Sequence, residues 1–383
     1  MKINFFYIFF VLLFVRCSLE EKTSIQYDSS KYTYHFDTIY KRYNVDFTQN
    51  YTGGIDLHFL DSGTFIVYNF CGSNQLKVLR HESDSVMELS YFNPNCKKLF
   101  TSIKKDGVYV ISEKGELWQY CKNNYKQELL ANLMEDTVLK NSGLIIEEFK
   151  PGGDQYVRVP ENILYFRLKQ NYKINDGKYS NKDSCFPIFA KYNLDNKKIE
   201  LFGKQPFFVT YNEYGFLSVK YDLYIGDSII TSEGCSGLIE VIDTKTHTEQ
   251  IINCKSRYDI DPIKKWIFVP DMKDAKNKKM EHYLLSGSYE SLFYNPFNER
   301  YYRIFHPKMD KLDKDGLYNT DSDKECVLMI FDKSLKLIDE VLLPIKTIQV
   351  LKLIPSKNGV DIYLPELFKT ENNQKIFSFL HIT

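Results

Sequence analysis

The sequence lacks a surplus of charge of either sign. Its 383 residues include 50 Lys plus Arg and 50 Asp plus Glu. A protein that binds nucleic acid usually carries a basic surface that neutralises phosphates, so this balance argues against nucleic acid as a partner. Tryptophan is scarce, with 2 residues, whereas there are 29 Tyr and 28 Phe. Hydrophobic residues amount to 43% of the chain and can form a core, and the abundance of Tyr and Phe favours β-structure.

The sequence also lacks an apolar run long enough to cross a bilayer, which takes about 20 residues. Its most pronounced run, Ile3–Val15, is shorter than that and directly follows Met1 and Lys2. A short positive start followed by a brief apolar segment is typical of a secretory signal peptide. We therefore expect an exported protein whose mature part is a soluble domain.

The apolar run ends near Cys17, and this end resembles a bacterial lipobox, in which the cysteine is lipidated and becomes the new N-terminus. Arg16 departs from the pattern because a small residue usually precedes the cysteine, and ordinary signal-peptidase cleavage after Cys17 is the alternative. The acidic stretch Ser18–Glu21 resembles the export signal of surface lipoproteins in Bacteroidetes. A lipid on Cys17 would anchor the protein to the membrane as an outer-membrane lipoprotein that faces the periplasm or the cell surface. The expected organisation is a signal peptide with a lipobox-like end over 1–17, a linker over 18–30 and a single domain over 31–383.

Close pairs of Cys and His, which bind zinc, are missing. The 8 Cys residues include no C-x-x-C pair, and the 7 His residues form neither H-x-H nor H-E-x-x-H. The acidic stretch Asp310–Glu325 fails as a calcium loop, because placing Gly316 at the sixth position puts Lys311 first and Ser322 twelfth. We therefore predict no metal and no cofactor. Most of the thiols are expected to be small buried groups on strands, with one or two disulfides as the alternative.

A catalytic constellation is missing as well. Gly226, Asp227 and Ser228 resemble the start of a Gly-Asp-Ser hydrolase block, but the downstream Asp-x-x-His that this block needs does not follow. We interpret the segment as a hairpin turn. Glu233–Gly237 is a Gly-rich turn and not a G-x-S-x-G elbow. The sequence therefore predicts no catalytic residue.

What the sequence does contain is a recurring pair of strands joined by a polar turn. An apolar strand stops at Asp243 and returns as a second strand, and the same pattern surrounds Asp332. An Asp at this point caps the backbone of a tight turn. Corresponding positions recur along the chain, and two of the gaps between them hold long polar insertions. These positions are Tyr68, Trp118, Tyr192, Ile242, Phe331 and Phe379.

A period of about 40–50 residues with about four strands each is typical of a β-propeller, because a four-stranded sheet cannot cover its own faces and stacks on its neighbours. The six positions predict an all-β protein with a six-bladed propeller. Seven blades are the alternative, and a β-sandwich or another β-rich domain without a closed ring is the rival fold. Lys31–Phe36 is expected to close the ring as the outer strand of the last blade. One helix is expected over Glu128–Lys140.

The stretch Ser291–Ile304 resembles a segment of a family of Bacteroidetes lipoproteins of about this length, and the hairpin Val327–Leu343 has the form of its following segment. That family is known only as a domain of unknown function. The resemblance covers the N-terminus and the C-terminal third of the chain. It implies an exported domain similar to TolB-like six-bladed propellers, and it implies no catalytic residues.

The same stretch contains the candidate ligand surface. Its members are Tyr294, Tyr301, Tyr302 and Arg303. Packing between strands is one interpretation of these residues, and a platform of Tyr and Arg facing the central channel is the other. The predicted function is an exported, lipid-anchored propeller that binds a protein or a glycan, or acts as a scaffold, in the cell envelope. A hydrolase or lyase with acidic residues at the channel mouth is the alternative.

Overall fold

The computed structural model describes residues 36–43, 55–60, 63–69, 75–80, 86–90, 98–112, 114–121, 127–147, 155–170, 187–204, 220–260, 272–320, 323–343, 353–363, 369–371 and 374–382. The chain divides into residues 1–33 and residues 34–383, and every described residue belongs to the second part. The predicted signal peptide, Cys17 and the linker lie outside the described residues.

The described chain consists almost entirely of β-strands. The first are β1 (Phe36–Tyr43), β2 (Ile55–Leu60), β3 (Gly63–Asn69), β4 (Gln75–Arg80), β5 (Val86–Ser90), β6 (Lys98–Ile103), β7 (Gly107–Ser112), β8 (Glu116–Cys121) and β9 (Gln127–Asn132). Next come β10 (Leu144–Ile146), β11 (Gln155–Val157), β12 (Ile163–Gln170), β13 (Phe189–Asn193), β14 (Lys198–Phe202), β15 (Lys220–Ile225), β16 (Ser228–Glu233), β17 (Ser236–Asp243) and β18 (Glu249–Asn253). The last are β19 (Ser288–Asn295), β20 (Arg300–His306), β21 (Val327–Phe331), β22 (Leu337–Leu342), β23 (Leu353–Ser356), β24 (Gly359–Tyr363), β25 (Lys369–Glu371) and β26 (Gln374–Ile382). The predicted all-β class is confirmed.

These strands form a series of four-stranded antiparallel units. Unit 1 is β2–β5, unit 2 is β6–β9, unit 3 is β10 with β12–β14, and unit 4 is β15–β18. Unit 5 is β19–β22, and unit 6 is β23, β24, β26 and β1. The short strand β11 pairs in parallel with both β2 and β15, and so joins units 1 and 4 into one nine-stranded sheet.

The six positions aligned in the sequence fall in six different units. Trp118, Tyr192, Ile242, Phe331 and Phe379 each lie on the third strand of their unit, whereas Tyr68 lies on the second strand of unit 1. The alignment is thus shifted by one hairpin in unit 1, because every hairpin of a meander has the same apolar strand and polar turn.

The N-terminal strand of the described chain pairs with the C-terminal one. All eight residues of β1 pair with β26, from Phe36 opposite Ile382 to Tyr43 opposite Lys375. Unit 6 therefore combines strands from the two ends of the sequence. Of Lys31–Phe36, the segment expected to close the ring, only Phe36 is among the described residues, and it is the first residue of β1.

Helices are few in the described part. A 3₁₀ turn covers Leu133–Glu135, α1 covers Thr137–Ser142 and α2 covers Met272–Leu285. The helix expected over Glu128–Lys140 is wrong in its first half. The side chains of Asn132 and Asp136 accept backbone N–H bonds and start the 3₁₀ turn and α1 only after β9 has ended. No helix among the described residues has the length and apolarity required to cross a membrane.

The core shows how the units stack. Neighbouring residues of unit 4 enter two different apolar clusters: Ile229 packs in a cluster with units 2 and 3, and Ile230 packs in a cluster with units 5 and 6. On β15, Tyr224 packs in the cluster with units 2 and 3, and Leu223 packs in the cluster with units 5 and 6. Successive strand residues point to opposite faces, so both faces of unit 4 are buried against other units.

Candidate ligand-binding groove

A groove of about 580 Å³ lies between units 3 and 4. The volume falls within the range of small-molecule sites. Unit 3 contributes Tyr165 on β12, Lys191 on β13 and Glu200 on β14. Unit 4 contributes Asp227 from the β15–β16 turn, and Thr244 and Lys245 from the β17–β18 turn.

The β17–β18 turn is held by its first residue. The Asp243 carboxylate accepts backbone N–H bonds from Lys245 at 2.8 Å and from Thr246 at 2.7 Å. These bonds from Thr246 and Lys245 lower the pKa of Asp243, because they stabilise the charged form. The turn therefore presents Thr244 and Lys245 to the groove in a fixed conformation.

The β15–β16 turn supports the same wall. Gly226 adopts a left-handed φ of 55°, and its N–H donates to the carbonyl of Val157 on β11. The Asp227 carbonyl accepts bonds from the Thr244 N–H at 2.8 Å and from the Thr244 hydroxyl at 2.9 Å. The Gly-Asp-Ser segment is thus a hairpin turn, and its Asp lines the groove.

Contacts across the groove tie the two units together. The Tyr165 hydroxyl lies 3.0 Å from the Thr244 hydroxyl, and Lys191 Nζ donates to the Thr244 carbonyl at 3.4 Å. His247 Nε2 lies 3.0 Å from Glu200 Oε1, and its ring stacks on Phe202 at 5.2 Å between centroids. Burial raises the pKa of Tyr165, so the phenol stays protonated at neutral pH.

Each acidic group of the groove is paired with a lysine. Lys191 Nζ lies 2.6 Å from Glu200 Oε2, and Lys245 Nζ lies 2.6 Å from Asp227 Oδ2. The bond to Asp227 raises the pKa of Lys245 and keeps the ammonium charged. These two pairs offer hydrogen-bond donors and acceptors side by side, and Lys198 also lines the groove.

The residues of the sequence-predicted ligand surface lie on β19 and β20 of unit 5. Tyr301 and Tyr302 are 7% and 4% exposed, and Arg303 is 0% exposed. Tyr294 is half-buried, and its ring lies 4.8 Å from that of Tyr301. The structure therefore pairs Tyr294 with Tyr301 across two strands, buries Tyr301, Tyr302 and Arg303, and places none of the four residues in the lining of the groove.

Arg303 is held by backbone carbonyls. It donates to Glu233 O at 2.7 Å, Ser236 O at 3.1 Å and Glu290 O at 3.1 Å, and its guanidinium lies 4.3 Å from the centre of the Tyr289 ring. These bonds connect β20 to the β16–β17 turn. The packing interpretation of Arg303 fits these contacts.

No group of three or more His, Cys, Asp or Glu among the described residues is arranged to hold a metal ion. Within Asp310–Glu325, the Asp313 side chain accepts the backbone N–H groups of Asp315 and Leu317 and so shapes its own loop. Cys121 and Cys254 are free thiols, and burial raises the pKa of Cys254 to about 11.

The groove residues were recognised in the sequence only as parts of strands and turns. Asp243, Thr244 and Lys245 were identified as one turn and Gly226 with Asp227 as another. A usable signal was present, because both turns carry Asp next to residues that can donate hydrogen bonds. Their meeting with β13 and β14 depends on the stacking of units 3 and 4, which local patterns do not specify.

Fold and groove define an all-β protein of stacked four-stranded units with a polar groove between two of them. The sequence profile of the family described as "Domain of unknown function (DUF4221)" matches residues 83–342, more than half of the chain. The chain therefore belongs to the DUF4221 family. The resemblance to an uncharacterised Bacteroidetes family, noted from Ser291–Ile304, is confirmed.

Solved structures share the fold of this chain. A member of the DUF4221 family from Bacteroides vulgatus ATCC 8482 has a TM-score of 0.60 and 12% sequence identity, and the match covers 91% of this chain and 98% of that chain. A protein described as exported, from Bacteroides fragilis NCTC 9343, has a TM-score of 0.51 and 9% identity, covering 91% of this chain and 95% of that chain. At these identities the likeness establishes the fold alone. No curated protein matches the sequence.

Proposed function

We propose that this protein is an exported, lipid-anchored, six-bladed β-propeller of the cell envelope that binds a polar ligand in the groove between units 3 and 4. The propeller is supported by the six four-stranded units and by the pairing of β1 with β26, which leaves neither end of the chain as a separate sheet. It is also supported by the burial of unit 4 on both faces.

Export is supported by the apolar run Ile3–Val15 and by the exported relative from Bacteroides fragilis. Anchoring is supported by Cys17 at the end of that run. Metabolic labelling with a palmitate analogue tests the anchor: we expect label on the wild-type protein and none on Cys17→Ala. Equal labelling of both would refute the lipid on Cys17.

Binding is carried by one observation, the convergence of polar side chains from two units on a single groove. Tyr165, Lys191 and Glu200 come from unit 3, and Asp227 and Lys245 come from unit 4. Polar groups that converge on one concave surface are a common mark of a ligand site. The pairing of each carboxylate with a lysine favours recognition over acid–base catalysis.

A thermal-shift screen with nucleotides, amino acids, saccharides and short peptides tests the groove. We expect at least one class to stabilise the full chain, since a ligand that binds only the folded state raises the unfolding temperature. The shift should disappear in Asp227→Ala and persist in Lys333→Ala, which alters an exposed lysine in the β21–β22 turn of unit 5. Shifts that survive Asp227→Ala would remove the groove from the proposal.

The second candidate is a hydrolase or lyase. Its support is the contact of His247 with Glu200, since the two side chains come from different units and meet at 3.0 Å beside Lys191. An imidazole next to a carboxylate is a common general base. Chain cleavage of a bound saccharide that His247→Gln abolishes would establish this candidate, and intact saccharide after prolonged incubation would exclude it.

A further inference from the structure

The polar rim of the groove combines donors and acceptors in a way that suits hydroxyl groups. Glu200 and Asp227 offer carboxylate oxygens, and Lys191 and Lys245 offer ammonium protons within 3 Å of them. A hydroxyl both donates and accepts, so one hydroxyl satisfies a carboxylate and an ammonium at once. A ligand with many neighbouring hydroxyls therefore fits this rim better than one with a single charged group.

The charge of the rim points to a neutral ligand. Lys191 and Lys245 are each neutralised by a carboxylate at 2.6 Å. A phosphate or another strong anion would have to compete with Glu200 and Asp227 for these ammonium groups, and it would meet both carboxylates at close range. A neutral molecule leaves the two ion pairs in place.

The rest of the groove is apolar. Pro160, Ile163 and Ile199 line it together with Tyr165. A sugar ring carries C–H groups on its faces and hydroxyls at its edge, so its faces match these residues while its edge meets the rim.

The groove is also fixed before a ligand arrives. The Asp243 turn, the Tyr165–Thr244 contact and the His247–Glu200 contact hold its walls, so little conformational entropy is lost on binding. It opens to solvent along one side, and its 580 Å³ leaves room for more than one ring. A chain that extends beyond the groove can therefore bind without folding back.

We propose that the groove between units 3 and 4 binds a neutral oligosaccharide, with its hydroxyls on the Lys191–Glu200 and Asp227–Lys245 pairs and its ring faces on the apolar lining. This inference rests on the proposed binding function and names the ligand class of the same site.

The full chain, fluorescently labelled, is tested on a printed array of neutral and acidic oligosaccharides, and positive sugars are measured by titration calorimetry. We expect a neutral oligosaccharide to bind. Its affinity should fall at least tenfold in Asp227→Ala and in Lys245→Ala, because each substitution removes a charged hydrogen-bond partner of the sugar hydroxyls. Lys333→Ala should bind like the wild type, and circular dichroism confirms that all variants are folded.

The outcomes separate this inference from the proposed function. Binding of acidic sugars alone overturns the neutral class. An empty array together with a thermal shift by a nucleotide or peptide that Asp227→Ala abolishes overturns the saccharide and keeps the groove. An empty array with no thermal shift from any class overturns both, and sugar binding that survives both groove variants places the site elsewhere.

Discussion

Unit 5 carries three basic side chains that are fully buried. Arg303, His306 and Lys324 are each 0% exposed, although burying a charged group is costly unless it is paired or bonded. Arg303 and Lys324 donate mainly to backbone carbonyls, Lys324 to Tyr283 O and Ser286 O at 2.8 Å each. These side chains therefore act as bridges that satisfy carbonyls at chain turns.

Replacing Arg303 should lower stability strongly. Arg303→Met keeps the length of the side chain but leaves the carbonyls of Glu233 and Ser236 without their donor. We expect a loss of about 3 kcal/mol or more in the free energy of unfolding, since each orphaned buried group costs about 1–3 kcal/mol. Urea unfolding measures the loss, and Arg300→Met, at an exposed position of β20, is the control. Equal stability of the two variants would contradict the bridging role.

The pH dependence of stability should reveal Lys324. Burial lowers the pKa of Lys324 from 10.5 to about 7, whereas nearby Glu290 and Cys326 oppose the shift. Between those values the unfolded chain holds a proton that the folded protein has released, so this group makes stability rise with pH.

Burial also lowers the pKa of His306, but contacts with Cys326 and Glu290 outweigh it and raise the pKa from 6.5 to about 9. The stabilisation from His306 is complete below pH 6.5 and is lost as the pH rises through 9.

The contributions of Lys324 and His306 to the free energy of unfolding change in opposite directions between pH 7 and pH 9. Lys324→Met removes the rising contribution, so the variant should lose stability over this window, by an amount on the order of a few kcal/mol, while the wild type changes less. Urea unfolding at several pH values measures both slopes. Lys314→Met, at an exposed position, should follow the wild type. A variant whose stability is as flat as that of the wild type would refute the assignment to Lys324.

The sequence predicts which residues lie on strands better than it predicts how deeply their side chains are buried. The sequence places Tyr301, Tyr302 and Arg303 on one strand, which the structure has as β20, but alternation cannot tell which face meets another sheet. The burial of Arg303 depends on backbone carbonyls about 70 positions earlier in the chain, such as Glu233 O. A local pattern holds no information about such a partner.

At the scale of elements, β11 is the least regular part of the described fold. It has three residues, Gln155–Val157, and lies between β2 and β15 with parallel pairing to both. Gln155 also reaches β19: its Nε2 donates to Tyr294 O, and its Oε1 accepts from Tyr294 N, each at 2.7 Å. The side-chain amide of Gln155 takes the place of a backbone hydrogen-bonded pair between β11 and β19. β11 is therefore fixed to units 1, 4 and 5.

Gln155→Glu should weaken this link. A carboxylate of the same shape accepts from Tyr294 N but has no proton for Tyr294 O, and Gln155 is 2% exposed. We expect a loss of about 1–3 kcal/mol and faster hydrogen exchange of the Tyr294 amide. Exchange measured by NMR or mass spectrometry tests this, with Gln250→Glu at an exposed position as the control. Unchanged exchange at Tyr294 would show that Gln155 does not fix β19.

Neither β11 nor α2 could be predicted from local sequence patterns. Three residues are too few to show a period, and the parallel partners of β11 are separated from it by whole units. α2 lies where the sequence shows a Lys-rich polar insertion, and its residues form no continuous apolar stripe. The regular hairpins around Asp243 and Asp332 were found because their strands and turns follow one another directly.

For the whole molecule, the repeated units are the part that sequence analysis recovered best. Units 1 to 5 each come from one stretch of the sequence, so spacing and alternation placed one aligned position in each of them, with a shift of one hairpin at Tyr68. Unit 6 differs, because β1 comes from the other end of the chain. Pairing across the full length of the sequence costs loop-closure entropy, and contacts along the strand must offset this cost.

The pairing of β1 with β26 should therefore carry a large share of the stability of the whole domain. A chain that begins at Tyr34 retains β1, and a chain that begins at Asn44 lacks it. Removing β1 takes away the partner of β26 along eight positions, from Lys375 to Ile382, and leaves β26 as an open edge. We expect the chain from Asn44 to lose several kcal/mol, at about 0.5–1.5 kcal/mol for each hydrogen bond, and to associate through the free edge. Denaturant unfolding and size-exclusion chromatography compare the two chains. Equal stability together with a monomeric state of the shorter chain would show that the domain closes without β1.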